Sequence, residues 1–197
     1  MKFFLIFLIL LNIKGENKND SIIMDEKTFW NVIEQKGKST NDLSMLINKL
    51  SLLQEDEIIS FEIVLRQKLV EINTWESYSI CRILEGMPSE DNFLYFRCWI
   101  ILQGESFFNH FSDDPNSVSE EFIFLAKKDF PDGAHLLYVS DQAFEMKFGQ
   151  EHSKKSPRDY AMEIIDYDFE EHPLMGEKIE YDDIKNLFPK IWEAFSK

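Results

Sequence analysis

The stretch Phe93–Leu102, which reads FLYFRCWIIL, is the segment of this sequence that decides the fold. Ser89 precedes it with the chemistry of a helix N-cap, and Gly104 follows it as a helix stop. Between these signals the predicted helix is apolar on nearly every side, and a helix of that kind is buried. We therefore expect a central buried helix near residues 90–103, with the core of the protein packed around it.

Apolar residues recur at helical spacing on both sides of this block. Helices are predicted from about Thr28, over residues 43–53, 55–72 and 75–85, over residues 133–148, and from about Tyr181. Residues 122–126 fit either a short helix or a strand, and residues 150–158 read as a polar, exposed segment. Pro189 is expected to kink or divide the last helix. These patterns predict an all-α fold, an irregular orthogonal bundle around the central helix.

The composition agrees with a helical protein that has one substantial core. The chain has 197 residues, of which 18 are phenylalanine, and Phe side chains are mostly buried because they carry no polar group. Glycine (7) and proline (6) are scarce, which argues against a loop-rich β sandwich or a disordered chain. We expect residues 24–197 to form a single helical domain.

The charge of the chain narrows the classes of partner. Lys and Arg number 21 against 36 Asp and Glu, which gives a formal net charge of −15. A surface of this sign repels phosphate, so it argues against nucleic-acid binding and against anionic membrane surfaces. It favours a basic partner, a cation or simple solubility.

Residues 1–23 differ from the rest of the chain and admit two interpretations. The apolar run Phe3–Leu11 follows a single lysine and resembles a secretory signal peptide over residues 1–15. That run is too short for stable membrane insertion, because a spanning helix needs about 20 apolar residues. Under the second interpretation translation starts at Met24, and residues 1–23 are a mis-extended gene start. The first interpretation predicts an exported protein and the second a cytoplasmic one.

Three segments carry a family likeness. Asp25–Trp30 is similar to a D-E-x-F-W opening, and Ser89–Gly104 is similar to a central motif D-x-F-x-x-F-R-x-W-L-I-x-x-G. Gly176 and Glu177, followed by Phe188–Trp192, resemble a closing segment. These patterns resemble a bacterial family known only as domain of unknown function 4240.

The resemblance covers about residues 25–197, and its opening lies next to Met24, which favours a start there. It implies no activity and no catalytic residues. Where the family pattern is expected to have a Gly-Cys pair before the central acidic turn, this chain has Gly86 and Met87. A role for that thiol is therefore not implied for this chain.

Arg97 is the one charged residue within the apolar block. Because a buried arginine must be paired, the sequence predicts an ion pair with a carboxylate such as Asp25, Glu62 or Glu76. The functional alternative is an anion-binding arginine at the floor of a pocket. The candidate binding residues are Arg97, Asp91, Trp99 and Trp30.

An acidic segment near the C-terminus approaches a calcium-binding pattern. Asp166, Asp168 and Glu170 alternate, and Glu177 falls at the twelfth position of the loop. The sixth position, where a calcium loop needs glycine for its sharp turn, is Glu171. We therefore predict a solvated acidic loop and no metal site, with these four carboxylates as the nearest approach to one.

The sequence holds no signature of catalysis. Cys81 and Cys98 form no C-x-x-C pair, and their apolar helical surroundings predict buried thiols, with a disulfide as the alternative in an exported protein. No G-x-S-x-G, P-loop, G-x-G-x-x-G or H-E-x-x-H motif occurs. We therefore predict no catalytic residue and no cofactor.

Two classes of function follow from these features. The first is a non-enzymatic acidic interaction or regulatory module that binds a basic protein partner. The second is a small-ligand-binding protein or an enzyme that uses Arg97 with nearby carboxylates. The net charge and the lack of catalytic motifs favour the first class.

Overall fold

A computed structural model of the chain describes residues 23–34, 42–149, 155–165 and 172–196. These residues form eleven α-helices and two 3-10 helices and contain no β-strand, which confirms the all-α prediction. The α-helices are α1 (Glu26–Ile33), α2 (Ser44–Ser51), α3 (Glu55–Glu71), α4 (Trp75–Glu85), α5 (Glu90–Leu102), α6 (Glu105–Asp113), α7 (Ser119–Lys128), α8 (Val139–Phe148), α9 (Pro157–Met162), α10 (Tyr181–Leu187) and α11 (Pro189–Phe195). The 3-10 helices are Pro115–Val118 and Ala134–Tyr138.

Helix α5 is the buried helix that the sequence predicts. The hydroxyl of Ser89 accepts a hydrogen bond from the amide of Asn92 at 3.1 Å, which caps its first turn. From Phe96 to Leu102 every side chain is buried. Helices α3, α4 and α6 and the 3-10 helix Ala134–Tyr138 all contact it. The core of the protein therefore surrounds α5.

Aromatic rings fill much of the space around α5. The ring of Trp99 lies 5.7 Å from that of Phe122 and 6.3 Å from that of Phe107, both in edge-on contacts. Phe96 makes similar contacts with Phe111 and Phe122, each at 6.2 Å. Offset and edge-on ring pairs of this kind add to the stabilisation from apolar burial. These rings join α5 to α6 and α7.

Two other helix starts follow the chemistry of the sequence. At α3 the Gln54 side chain accepts from the amide of Glu57, while the Glu57 carboxylate accepts from the amide of Gln54 at 2.7 Å. At α4 the hydroxyl of Thr74 accepts from the amide of Ser77 at 3.1 Å. Both starts lie where the sequence predicts them, because the bonds that set them are local.

The structure corrects several helix boundaries. Helix α1 begins at Glu26 rather than Thr28, because Asp25 caps it by accepting from the Thr28 amide at 2.9 Å. The single helix predicted over residues 133–148 is a 3-10 helix followed by α8. Residues 122–126 are helical within α7. Pro189 divides the last helix, as one of the two predicted outcomes, and opens α11.

Helix α9 is an element that the sequence analysis missed. The prediction of a polar, exposed segment over residues 150–158 was wrong for its last residues, because Pro157 is buried. The hydroxyl of Ser156 accepts from the amide of Asp159 at 3.2 Å, and Pro157 occupies the first turn. This Ser-Pro start was a readable signal, but α9 is short and is stabilised by its contacts with α3 and α8.

Candidate functional site

Arg97, the foremost candidate from the sequence, lies inside the protein. Its side chain is 1% exposed, and its Nη1 donates to the backbone carbonyl of Leu69 at 2.9 Å. Leu69 lies in the last turn of α3, where carbonyl groups lack partners within the helix and where positive charge is favoured. The guanidinium also lies 4.7 Å from the centre of the Phe93 ring. Arg97, a residue of α5, therefore caps the C-terminal end of α3.

The carboxylates considered as partners of Arg97 have contacts of their own. Glu62 pairs with Arg66, since its Oε1 lies 3.0 Å from the Arg66 Nε. Asp25 caps α1. The carboxylate of Glu76 lies against Gly176, in the segment that precedes α10.

The four binding candidates do not form one open pocket. Trp30 and Trp99 are each 1% exposed, and the ring of Trp30 lies 5.1 Å from that of Phe108. Asp91 is exposed, in the first turn of α5. The helix therefore presents Asp91 to solvent and directs Arg97 and Trp99 into the core.

Asp91 instead belongs to a surface that we call the acidic–aromatic surface, formed by Asp91, Tyr95, Asp132 and Tyr138. The pKa of Tyr95 is raised. Partial burial is the largest cause, and the charges of Asp91 and Asp132 and the phenol of Tyr138 raise this pKa further. The amide of Gly133 donates to the carbonyl of Tyr95 at 3.0 Å, which fixes the loop carrying Asp132 against α5.

The sequence analysis found one member of this surface and missed the other three. Asp91 and Tyr95 are four residues apart on one helix, so their common face was a readable signal. Asp132 and Tyr138 come from a later loop and the following 3-10 helix, and their approach to Tyr95 depends on how that loop docks on α5. No local pattern encodes that approach.

A buried polar network lies apart from this surface, between α3 and α8. Arg66 is fully buried and donates through Nε to Glu62, through Nη1 to the Ile165 carbonyl at 3.3 Å and through Nη2 to the Arg158 carbonyl at 3.4 Å. Ser140 donates from its hydroxyl to Glu62 Oε2 at 2.6 Å. Burial raises the pKa of Glu62, against the lowering effects of Ser140 and Arg66.

The Glu62–Arg66–Ser140 network explains why α9 stays against α3. Arg66 donates to the carbonyl of Arg158 within α9 and to the carbonyl of Ile165, just after that helix ends at Met162. The sequence analysis missed the network, although a Glu and an Arg four residues apart on an otherwise buried helix face are a signal for it. All three side chains of this network are buried, and their hydrogen bonds join α3 to α8 and to the backbone at and after α9.

The candidate calcium loop falls mostly outside the described residues, since Asp166, Asp168 and Glu170 are not among them. Glu177 is described and exposed. Over the described ranges, no group of three or more His, Cys, Asp or Glu side chains is placed to hold a metal ion.

Cys81 and Cys98 are free and buried, as predicted. Burial raises the pKa of Cys98 to about 12 and that of Cys81 well above its usual value. We predict that neither thiol reacts with iodoacetamide at pH 8 while the protein is folded, because the thiolate is the reactive species. Both should react in guanidinium chloride, as counted by intact mass. Rapid labelling of the native protein at either cysteine would contradict this prediction.

Comparison with known proteins gives a family. The structure places no helix of membrane-spanning length and hydrophobicity within its described residues. No curated protein and no solved structure matches the chain. The sequence model of the family described as protein of unknown function (DUF4240) matches residues 24–146. That span includes the opening and the central motif, while the closing segment lies beyond it. The chain therefore belongs to the DUF4240 family of proteins of unknown function.

Proposed function

We propose that this protein is a non-enzymatic interaction module that binds a basic protein partner through the acidic–aromatic surface. The observation that carries the proposal is that two exposed carboxylates, Asp91 and Asp132, and the exposed Tyr138 lie within electrostatic range of Tyr95 on the outer side of α5. Tyrosine is among the residues that dominate binding energy at protein interfaces. The carboxylates supply the complement to lysine or arginine on a partner.

The charge of the whole chain supports the same partner class. A net charge of −15 attracts a basic protein over a distance of about one Debye length, roughly 8 Å at physiological salt, and speeds the encounter. The surface residues then determine where the partner docks. This division of roles predicts an association rate that falls with added salt.

The alternative of a ligand-binding or catalytic Arg97 has less support. Its guanidinium is 1% exposed and bonded to the Leu69 carbonyl, so a ligand would have to displace the end of α3 to reach it. Opening that contact would expose apolar surface of α5 and leave a helix carbonyl without its donor. The acidic–aromatic surface needs no such rearrangement.

A charge-matched pair of variants tests the proposal. The double variant Asp91→Asn/Asp132→Asn removes both carboxylates of the surface, and Glu105→Gln/Glu121→Gln removes two exposed carboxylates of α6 and α7. We expect the wild type and the second variant to capture the same basic protein from native lysate after crosslinking. The first variant should bind that purified protein about tenfold more weakly by calorimetry, in line with the loss of two interfacial charges.

The outcomes separate local binding from general charge attraction. Equal weakening in both variants would show that only net charge matters and would overturn the assignment of the surface. A partner that is acidic, or binding that does not weaken with added salt, would contradict the partner class.

A further inference from the structure

A groove lies between α4 and the segment that leads into α10, with a volume of about 470 Å³. Its lining includes Trp75, Tyr78 and Arg82 of α4, Met87 in the turn after that helix, and Lys178 and Glu180. Its volume lies in the range of sites that hold small ligands, roughly 300–1,000 Å³. None of these residues belongs to the acidic–aromatic surface, so the groove is a separate feature of the molecule.

Local geometry brings the aromatic residues to one side of α4. Trp75, Tyr78 and Arg82 follow one another at three- and four-residue spacing, which places them on one helix face. The rings of Trp75 and Tyr78 meet edge-on with centroids 6.0 Å apart. Both residues are half-buried, so part of each ring is covered and part is open to the groove.

The opposite wall is held by backbone hydrogen bonds. The amide of Trp75 donates to the carbonyl of Met175 at 3.0 Å, and the amide of Met175 donates to the carbonyl of Asn73 at 2.9 Å. These bonds fix residue 175 beside the start of α4. The segment 178–180 begins three residues later and is therefore held near α4. Backbone hydrogen bonds therefore hold the start of this wall against α4.

Arg82 gives the groove its chemical character. Its guanidinium lies 4.7 Å from the centre of the Tyr181 ring, a contact that orients the planar group. Among the described residues no carboxylate is paired with it. A guanidinium held in this way retains donors for a bidentate carboxylate.

The remaining lining residues carry one charge of each sign, Lys178 and Glu180. Lys178 pairs with Glu180 at 2.8 Å, but both side chains are more than 60% exposed, so the pair is weak and can yield to another anion. Met87 is 90% exposed at the mouth of the groove. An exposed flexible thioether adapts its shape to an aromatic ligand.

We propose that this groove binds a small aromatic carboxylate, with the carboxylate on Arg82 and the ring against Trp75 and Tyr78. The class of ligand follows from the combination of an oriented guanidinium with two half-buried rings. The proposal goes beyond the interaction function, because it assigns a small-molecule site to a different part of the surface.

Two probes that share the same indole ring system but differ in charge test the site. The full chain is titrated with indole-3-acetate and with the neutral indole-3-ethanol, and amide shifts are followed by two-dimensional NMR. We expect the acid to shift the amides of residues 75–89 and 175–182 and to bind about tenfold more tightly than the alcohol, since a charge-assisted bidentate bond distinguishes them. Equal affinity for both probes, or no shift at about 10 mM acid, would overturn the proposal.

Two variants then test whether Arg82 is the residue that binds the carboxylate of the ligand. Arg82→Gln should weaken binding of indole-3-acetate about tenfold, down to the level of the alcohol. Lys185→Gln makes the same change of net charge on the exposed side of α10 and should leave binding unchanged. Equal weakening in both variants would overturn the assignment to Arg82. The comparison of acid and alcohol uses the wild-type protein, so the test does not depend on the folding of any variant.

Discussion

Replacing Gly133 with alanine should lower the free energy of unfolding by about 3 kcal/mol or prevent folding, as forced overpacking of a core does. An added Cβ would overlap the backbone nitrogen of Trp99 and lie 2.6 Å from the carbonyl carbon of Cys98. Both atoms belong to the backbone of the buried helix α5, which cannot rotate away as a side chain can. Urea unfolding followed by circular dichroism measures the loss.

The backbone conformation of Gly133 isolates the steric cause. Its φ of −110° suits any residue, so alanine brings no conformational strain there. The control is Gly149→Ala, at φ +83° and with nothing within 4 Å of the added atom. Its ψ of 159° puts Gly149 in a backbone region that is almost confined to glycine, so this variant should lose about 1–3 kcal/mol from backbone strain alone. A loss at Gly133 below about 1 kcal/mol would contradict the close approach.

The contact at Gly133 also bears on the proposed function. The same residue donates its amide to the Tyr95 carbonyl and follows Asp132 in the chain. A side chain at this position would push the loop away from α5 and carry Asp132 away from Tyr95. A folded Gly133→Ala protein should therefore bind its partner more weakly, even though Gly133 itself is buried.

The second large effect is expected at Glu62. Glu62→Leu should lower the free energy of unfolding by about 3–5 kcal/mol, because it removes the carboxylate that lies 3.0 Å from the Nε of the buried Arg66. Arginine stays protonated at all accessible pH values, so it cannot relieve this cost by losing a proton. Urea unfolding at pH 7 measures the change.

Arg66→Met should behave differently from Glu62→Leu, because a carboxyl group can become neutral. Burial raises the pKa of Glu62, and removal of Arg66 takes away one of the groups that lower it. The folded state then binds the Glu62 proton more tightly than the unfolded state does. In Arg66→Met the contribution of Glu62 to stability should therefore be complete below the ordinary Glu pKa of 4.5 and be lost as the pH rises from there toward the raised pKa of the folded state.

A double variant and a surface control complete this test. Glu62→Leu/Arg66→Met removes both charges and should recover much of the loss, as replacement of a buried pair by apolar groups does. The surface control is Glu120→Leu, which breaks an exposed ion pair with Lys190 whose atoms lie 2.8 Å apart. This variant should change the free energy of unfolding little. Additive losses in the double variant would show that Glu62 and Arg66 are not coupled.

Local chemistry made the helices of this protein predictable. Asp25, Ser89 and Thr74 accept hydrogen bonds from amides three residues ahead, and Pro189 opens a helix. These interactions lie within a few residues, so the sequence shows them directly. The burial of α5 followed in the same way, since a helix with no polar face has no side that favours water.

Contacts between distant segments had to come from the tertiary structure. The sequence predicted that Arg97 needs a partner, but only the docking of α5 on α3 places it at the Leu69 carbonyl. The same holds for Ser140 at Glu62, a contact between residues 78 positions apart. Many arrangements of amphipathic helices bury the same apolar stripes, so a stripe does not specify its neighbour.

The FLYFRCWIIL block shows both what local interactions determine and what contacts between distant segments determine. The sequence by itself determined that the block is a capped, buried helix and that the chain is all-α, because capping and apolar periodicity act locally. Only the tertiary structure decided that Asp132 and Tyr138 approach Tyr95 on its outer side, close enough to raise the pKa of that tyrosine. The physical reason is that this proximity depends on the approach of a loop some 40 residues further along the chain, which Gly133 permits by having no side chain.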